Sequence, residues 1–339
     1  MASMPTGKVN LLVNLPPGFY RTPALRPLLG ELSRFARVRR RSHNTAGEIK
    51  EDLRWADVVL MWSWPKLLPE LLDSAPRLRF AAHLDISQQA ARVALERGLP
   101  VSVARGGFSA AVAEMALTLI LTLLRRVSDY HAAMRRGDER WVRSFPDDID
   151  PRERALSGLP VGIIGFGRIG RHLARLLAPF DCPVRAYDPF VGADVMKQLG
   201  VRRAALDELI LRSDVVVLAA ACNAGTQHLL GARQISALRR DAVLVNVARA
   251  ALVDTTALIR RLKRGDLLAA VDVFYEEPLP ADHPLRALPN AYLTPHRAGG
   301  IMSSVRTILR MLIDDIRAFL DGRQRACPLT GDMLPSLDA

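Results

Sequence analysis

An α/β protein built from two doubly wound parallel-sheet units is predicted by three observations. Short apolar runs alternate with helical segments, that alternation starts twice along the chain, and 339 residues exceed one ordinary hydrophobic core. The first series reads "VNLLVNL", "ALRPLLGELSRFA", "ADVVLMW", "LPELLDSA", "LRFAAHL", "QQAARVALERG" and "PVSVA". The strand-like runs are mostly apolar, as strands covered on both faces are expected to be. A long helical stretch follows, from about 110 to 136, and then the polar passage "RRGDERWVRSFPDDIDPRERALSG". The second series runs "VGIIGFG", "IGRHLARLLAPF", "PVRAYDP", "LDELILRS", "DVVVLAAA", "ARQISALRR", "AVLVNVA", "TTALIRRLKRG", "LLAAVDVF" and "AYLTPH".

Composition narrows the class. Hydrophobic residues make up 49% and charged residues 24%, the balance of a soluble globular chain. Cys182, Cys222 and Cys327 stand far apart in no metal-ligand or disulfide pattern, which suits a reducing cytoplasm and predicts no metal. The N-terminal apolar run is broken at Asn14 and ended by Pro16 and Pro17, so it reads as a strand and not a signal peptide. The stretch Ala110 to Leu124 carries Glu114 and falls short of the roughly 20 residues that span a bilayer, so a buried helix is expected and no membrane partner. A net charge of +12 raises the question of nucleic acid, but the arginines are scattered singly or in pairs through helices, the pattern of solvated faces. No nucleic-acid partner is expected.

"PVGIIGFGRIGRHLARLL" places Gly165, Gly167 and Gly170 between an apolar strand and an amphipathic helix. That context makes a dinucleotide site: the first glycine for the turn, the second for approach to a pyrophosphate, the third for helix packing. Amides near Arg168 and Ile169 then face the phosphates. The following strand ends in Asp188, where a carboxylate accepts from ribose hydroxyls and repels a 2′-phosphate, so NAD is favoured over NADP. Arg185 is out of phase with Asp188 along the strand and points away. Three further strands run into polar loops carrying Arg249, Glu277 and His296. Ligands of open α/β sheets bind at such carboxyl ends.

With the glycine loop, "NVAR", "DVFYEEP", "HPL" and "TPHRAGG" in order, the chain from about Val101 to Gly322 resembles the D-isomer-specific 2-hydroxyacid dehydrogenases. The resemblance implies a Rossmann NAD-binding domain inserted into a flavodoxin-like substrate domain, with boundaries at 1–104, 105–296 and 297–339. It also implies NAD as cofactor, a small 2-keto or 2-hydroxy acid as substrate, and a homodimer. Arg249 anchors the carboxylate and carbonyl, His296 is the acid/base, and Glu277 orients it and stabilises its charged form. Ala248 and Asp272 face the cofactor, Asp272 toward the nicotinamide carboxamide; a strand-end cap is its plainer reading. Glu276 is expected to be solvated, and His131, His172 and His283 structural.

The match departs from the family in the first unit. "HLDISQQAARVALERG" lacks the glycines that usually cradle a substrate carboxylate, leaving His83 and Leu84 in that place. Trp62 and Ser63 follow a strand and are candidate pocket residues, though a Trp there equally packs on a core. Arg105, beside the expected hinge at Gly106 and Gly107, is a candidate carboxylate contact. In "LAAACNAGTQHLL" three alanines stand where the family has a His and a Pro. The altered loop keeps two alternatives open: an NAD-responsive protein-binding scaffold of this fold, and a dehydrogenase of an unusual anion.

Overall fold

A computed structural model describes residues 8–62 and 67–337. The chain divides into two compact units, one formed by Met1–Phe108 with Met302–Ala339, the other by Ser109–Ile301. These joints fall within five residues of those expected from the sequence, 104/105 and 296/297.

In the first unit the elements follow as β1 (Val9–Asn14), α1 (Pro17–Arg21), α2 (Arg26–Phe35), β2 (Ala36–Arg41), α3 (Ala46–Trp55), β3 (Val58–Met61), α4 (Pro69–Asp73), β4 (Phe80–His83), α5 (Gln88–Glu96) and β5 (Val101–Val103). Its described strands form a parallel sheet in the order β2-β1-β3-β4-β5. The helices start where the sequence offers caps. Thr45 closes a capping box with Glu48 ahead of α3, and Ser87 Oγ accepts from the Ala90 amide at the start of α5.

The second unit opens with α6 (Ser109–Leu124) and α7 (Val127–Arg135). It continues through β6 (Val161–Ile164), α8 (Arg168–Leu177), β7 (Val184–Tyr187), α9 (Ala193–Lys197), β8 (Arg202–Arg203), α10 (Leu206–Arg212), β9 (Val215–Leu218), α11 (Ala232–Ala237), β10 (Ala242–Asn246), α12 (Thr255–Lys263), β11 (Leu267–Val271) and β12 (Ala291–Leu293). All described strands are parallel, in the order β12-β11-β10-β9-β6-β7-β8. The order reverses beside β6, the switch point at which such sheets bind ligands. The turn and helix from Arg105 to Leu124 are together long and apolar enough to cross a membrane by composition, longer than the helical run alone suggested. Yet 56% of that window is buried, and α6 lies against α8, β10 and β11.

The chain then returns to the first unit through α13 (Met302–Leu320). Ile308, Leu309, Leu312, Ile313 and Ile316 of α13 complete the core over β1, β3 and β4, and Phe319 stacks on Phe80 at 4.6 Å. Buried Asp315 accepts from Ser102 Oγ at 2.5 Å and from the amides of Ala326 and Cys327, which pins the C-terminal segment beside β5. Glu31 of α2 holds Arg310 through both oxygens (2.8 and 2.9 Å) and Arg317 at 2.7 Å, all across the α2–α13 seam. The Arg310 hydrogen bonds outweigh burial and hold the Glu31 carboxyl at about 2.

A carboxyl lowered by folding stabilises the fold above its unfolded value, and that contribution fades as pH falls toward 2. With partners partly in water, Glu31→Gln is expected to cost about 1–2 kcal/mol at neutral pH. Urea unfolding at pH 7 and pH 3 checks this: the gap between variant and parent should shrink by about half at the lower pH.

Candidate active site

At the end of β6 the chain turns through Gly165 at φ +93°, and a Cβ there would lie 2.4 Å from the Ala220 backbone. A Cβ on Gly170 would meet the Gly165 carbonyl oxygen at 2.3 Å, so α8 can start this close to β6 only with glycine there. Gly167 faces open space, and no side chain caps the first turn of α8, which exposes Arg168 and half-buries Ile169. Phe166, fully buried, pins the loop from below. Its amide donates to Asp188 Oδ2 at 2.8 Å while the Phe190 amide donates to Oδ1 at 2.9 Å. Asp188 is thus fixed at the end of β7 with lone pairs still free for hydroxyl donors. Uncapped amides, an open glycine and a fixed carboxylate fit a dinucleotide's pyrophosphate and ribose. Arg185 pairs in register with Gly162, whose open side faces Leu209 and Ser213 by α10. Its side chain therefore leaves the strand on that same side, which agrees with its being out of phase with Asp188.

Three loops at the other half of this sheet carry the remaining groups. After β10, Asn246 accepts from the Ala248 amide at 3.1 Å and donates to the Arg249 carbonyl at 3.0 Å. This brace presents Arg249 outward, with Nη1 donating to the Ala248 carbonyl at 2.7 Å, while Ala248 itself is buried. After β11, Asp272 has no exposed surface. Its Oδ1 accepts from Thr294 Oγ1 (2.6 Å) and the Arg297 amide (2.9 Å), its Oδ2 from the Ala298 amide (2.9 Å), and its carbonyl from the His296 amide (2.8 Å). Here the strand-end cap accounts for the bonds that the Asp272 side chain makes to Thr294, Arg297 and Ala298, and this conformation offers no exposed carboxylate oxygen for the expected carboxamide contact.

The loop that Asp272 holds carries His296 at φ +50°, an uncommon conformation for a residue with a side chain. His296 Nδ1 lies 2.7 Å from Glu277 Oε2, and Glu277 Oε1 accepts from the Phe274 amide at 3.0 Å. Burial pushes the Glu277 carboxyl up. The hydrogen bonds from His296 and Phe274, with the charges of His296 and Arg249, outweigh it and leave the group below the ordinary glutamate range. A carboxylate only accepts, so Nδ1 carries a hydrogen and Nε2 is left to exchange a proton. Both side chains are reachable from solvent, 45% exposed for His296 and 37% for Glu277. Glu276 is exposed, and His283 Nδ1 caps a short turn by accepting from the Leu285 amide.

In the first unit the expectations divide. His83 and Leu84 are corrected: β4 runs through His83, which is fully buried with Nδ1 accepting from the Asp85 amide at 2.9 Å, and Leu84 joins the core. A central strand covered on both faces keeps its last residues inside. Trp62 is half-buried against the core and tilted on Phe19 at 4.7 Å. Ser63 lies outside the described residues. Arg105 stands in a short turn after β5, half-buried, with Nε 3.7 Å from Asp85 Oδ1. The Asn246 brace was not singled out from the sequence; an Asn at a strand end just before an arginine was its signal.

A doubly wound unit whose glycine loop and strand-end acid fit a dinucleotide defines the class of NAD-binding dehydrogenase domains. The model of the D-isomer specific 2-hydroxyacid dehydrogenase NAD binding domain matches residues 117–298. The chain belongs to the D-isomer-specific 2-hydroxyacid dehydrogenase family, and NAD is its cofactor. It is 31% identical over 282 residues to the D-3-phosphoglycerate dehydrogenase of Methanocaldococcus jannaschii, a match covering 82% of this chain and 52% of that one. It therefore spans about half the length of that relative. It is 32% identical over 286 residues to the glyoxylate reductase of Thermofilum pendens, covering 81% of each. A crystal structure of a Pyrococcus horikoshii protein superposes with a TM-score of 0.80 at 28% identity, over 97% of both chains.

Asp272→Asn keeps one acceptor but turns an NH2 group toward a backbone donor, so it should lower stability by about 2 kcal/mol. The change should be local. Hydrogen exchange at the amides of His296, Arg297 and Ala298 is expected to rise more than exchange in β6, and equal protection in variant and parent would refute the brace.

Proposed function

We propose that the protein is an NAD(H)-dependent oxidoreductase that interconverts a 2-keto acid and its D-2-hydroxy acid. The observation that carries this reading is the His296–Glu277 pair at 2.7 Å, beside a strand-end Arg249 and on the same sheet as the dinucleotide loop. Gly165, Gly167 and Gly170 with the first amides of α8 hold the pyrophosphate, and Asp188 the adenosine ribose. When bound, the cofactor supplies or accepts the hydride.

The protein's own groups handle charge and protons. Arg249 carries a fixed fork of donors for the substrate carboxylate and carbonyl oxygen, and its charge does not titrate away. As the carbonyl oxygen gains negative charge, His296 Nε2 gives it a proton; in the oxidation direction neutral Nε2 removes that proton from the hydroxyl. Glu277 locks the ring through Nδ1, so one nitrogen alone is available, and its lowered carboxyl keeps the negative partner in place through neutral pH. Arg105, in the turn after β5, is the candidate second donor for a substrate carboxylate in place of the missing glycine cradle.

A homodimer is the assembly this reading favours. Met134, Trp141, Val142 and Phe145 expose apolar surface in and after α7, more than isolated surface residues require. Cys182, Cys222 and Cys327 form no disulfide among the described residues, which suits a cytoplasmic setting.

NADH consumption with 2-keto acids tests the chemistry. His296→Ala should lower kcat by about 10²–10⁴-fold while NADH affinity, measured by calorimetry, stays within about twofold. Loss of NADH binding together with turnover would place His296 in cofactor binding instead. Arg105→Met should raise KM for the keto acid by about tenfold with kcat little changed, and an unaltered KM would remove Arg105 from the site.

A further inference from the structure

The carboxyl edge of the first sheet is ordered by register, and its chemistry changes along that order. Asn14 pairs with Met61, Met61 with His83, and His83 with Val103, so the residues that follow these strands stand side by side. They are Leu15 after β1, Trp62 after β3, Leu84 and Asp85 after β4, and Ala104 and Arg105 after β5. At the β1–β3 end Phe19 and Trp62 form an aromatic pair, centroids 4.7 Å apart and planes tilted by 57°, both only partly covered by the core beneath. At the β5 end stands Arg105, the one cation among the described residues in the first two positions after these four strands. Between them Leu84 is buried, and Asp85 holds its carboxylate 3.7 Å from the Arg105 guanidinium.

The geometry points to a 2-keto acid with a bulky aromatic side chain as the substrate, its carboxylate toward Arg105 and its ring on Phe19 and Trp62. The inference rests on the dehydrogenase reading above and names the substrate class for it. Two strand spacings, about 10 Å, separate the β3 and β5 ends. That matches an aryl-substituted three-carbon keto acid and exceeds the reach of glyoxylate. A third ring completes an edge-to-face cluster with the tilted pair, a favourable arrangement beyond simple burial. Asp85 works against the other class of larger substrate: its carboxylate, 3.7 Å from the Arg105 guanidinium, offsets that cation and repels the second anionic group of a phosphorylated keto acid.

Steady-state rates of NADH oxidation with phenylpyruvate, pyruvate, glyoxylate and 3-phosphohydroxypyruvate test this. We expect kcat/KM for phenylpyruvate at least about tenfold above that for pyruvate, with the phosphorylated acid lowest. In Phe19→Ala and Trp62→Ala the phenylpyruvate-to-pyruvate ratio should fall about tenfold, through KM more than kcat, and Trp62→Phe should restore most of it. Should Trp62→Ala not fold, Phe19→Ala and Trp62→Phe carry the decision. A parent enzyme that prefers glyoxylate or the phosphorylated acid overturns the proposal and leaves the dehydrogenase standing, as does a ratio unmoved by the variants. No turnover of any of the four, with NADH still bound, overturns the dehydrogenase reading itself.

Discussion

One buried carboxylate organises the half of the second unit that carries Arg249, Glu277 and His296. Asp272 ends β11 with no exposed surface, and its side chain and carbonyl together take four bonds from Thr294, His296, Arg297 and Ala298. Its amide donates to the Asn246 carbonyl, which links the same point to the strand that precedes Arg249. A buried charge of this kind is costly unless its acceptors are used, and two backbone amides and the Thr294 hydroxyl use them here. The consequence is a histidine held at positive φ without a glycine's freedom, because the residues on both sides of it are tied down. The strain at His296 and the bonds at Asp272 are two descriptions of one device. It places the ring where Glu277 can meet it.

The parallel sheets explain why such devices sit where they do. β3 and β9 are buried throughout and carry no polar side chain, and β10, also buried, carries none before its last residue, Asn246. All chemistry is therefore displaced to the loops beyond the carboxyl ends. Within those loops the recurrent solution is a short polar side chain turned back on its own backbone: Asn246 before Arg249, Asp188 across the glycine loop, Asp85 and Ser87 ahead of α5. Each replaces hydrogen bonds that the ending strand no longer supplies.

That economy also decides what the sequence could reveal. The glycine loop and Asp188 were legible because strand, turn and helix each leave a separate mark, and the contacts at Gly165 and Gly170 show why no other residue would serve. Arg249, Glu277 and His296 were legible as a set at three strand ends. His83 and Leu84 were not, because nothing in "FAAHLDIS" tells where β4 stops: a histidine whose Nδ1 takes a backbone amide lies as comfortably inside a strand end as outside it. The Asn246 brace escaped notice for the opposite reason. Its side chain bonds only to backbone within three residues, and local bonds of that kind leave no periodicity to read.

The excess of arginine follows a similar logic. With 47 basic against 35 acidic side chains, one-to-one pairing is impossible, and the structure repeatedly shares one carboxylate between two arginines. Glu31 holds Arg310 and Arg317, Asp214 meets Arg154 and Arg239, and Asp266 meets Arg261 and Arg264. Asp52 goes further, with Arg39, Arg41 and His43 around it. Guanidinium suits this because its donors lie in a plane and divide between partners, and Arg261 spends others on the carbonyls of Ser236 and Leu238. These arginines serve as scaffolding between helices and loops. Arg249 is placed differently: it is exposed at a strand end, its guanidinium bonded through Nη1 to the neighbouring Ala248 carbonyl, and in the proposed reaction its remaining donors are the ones that meet an anionic substrate.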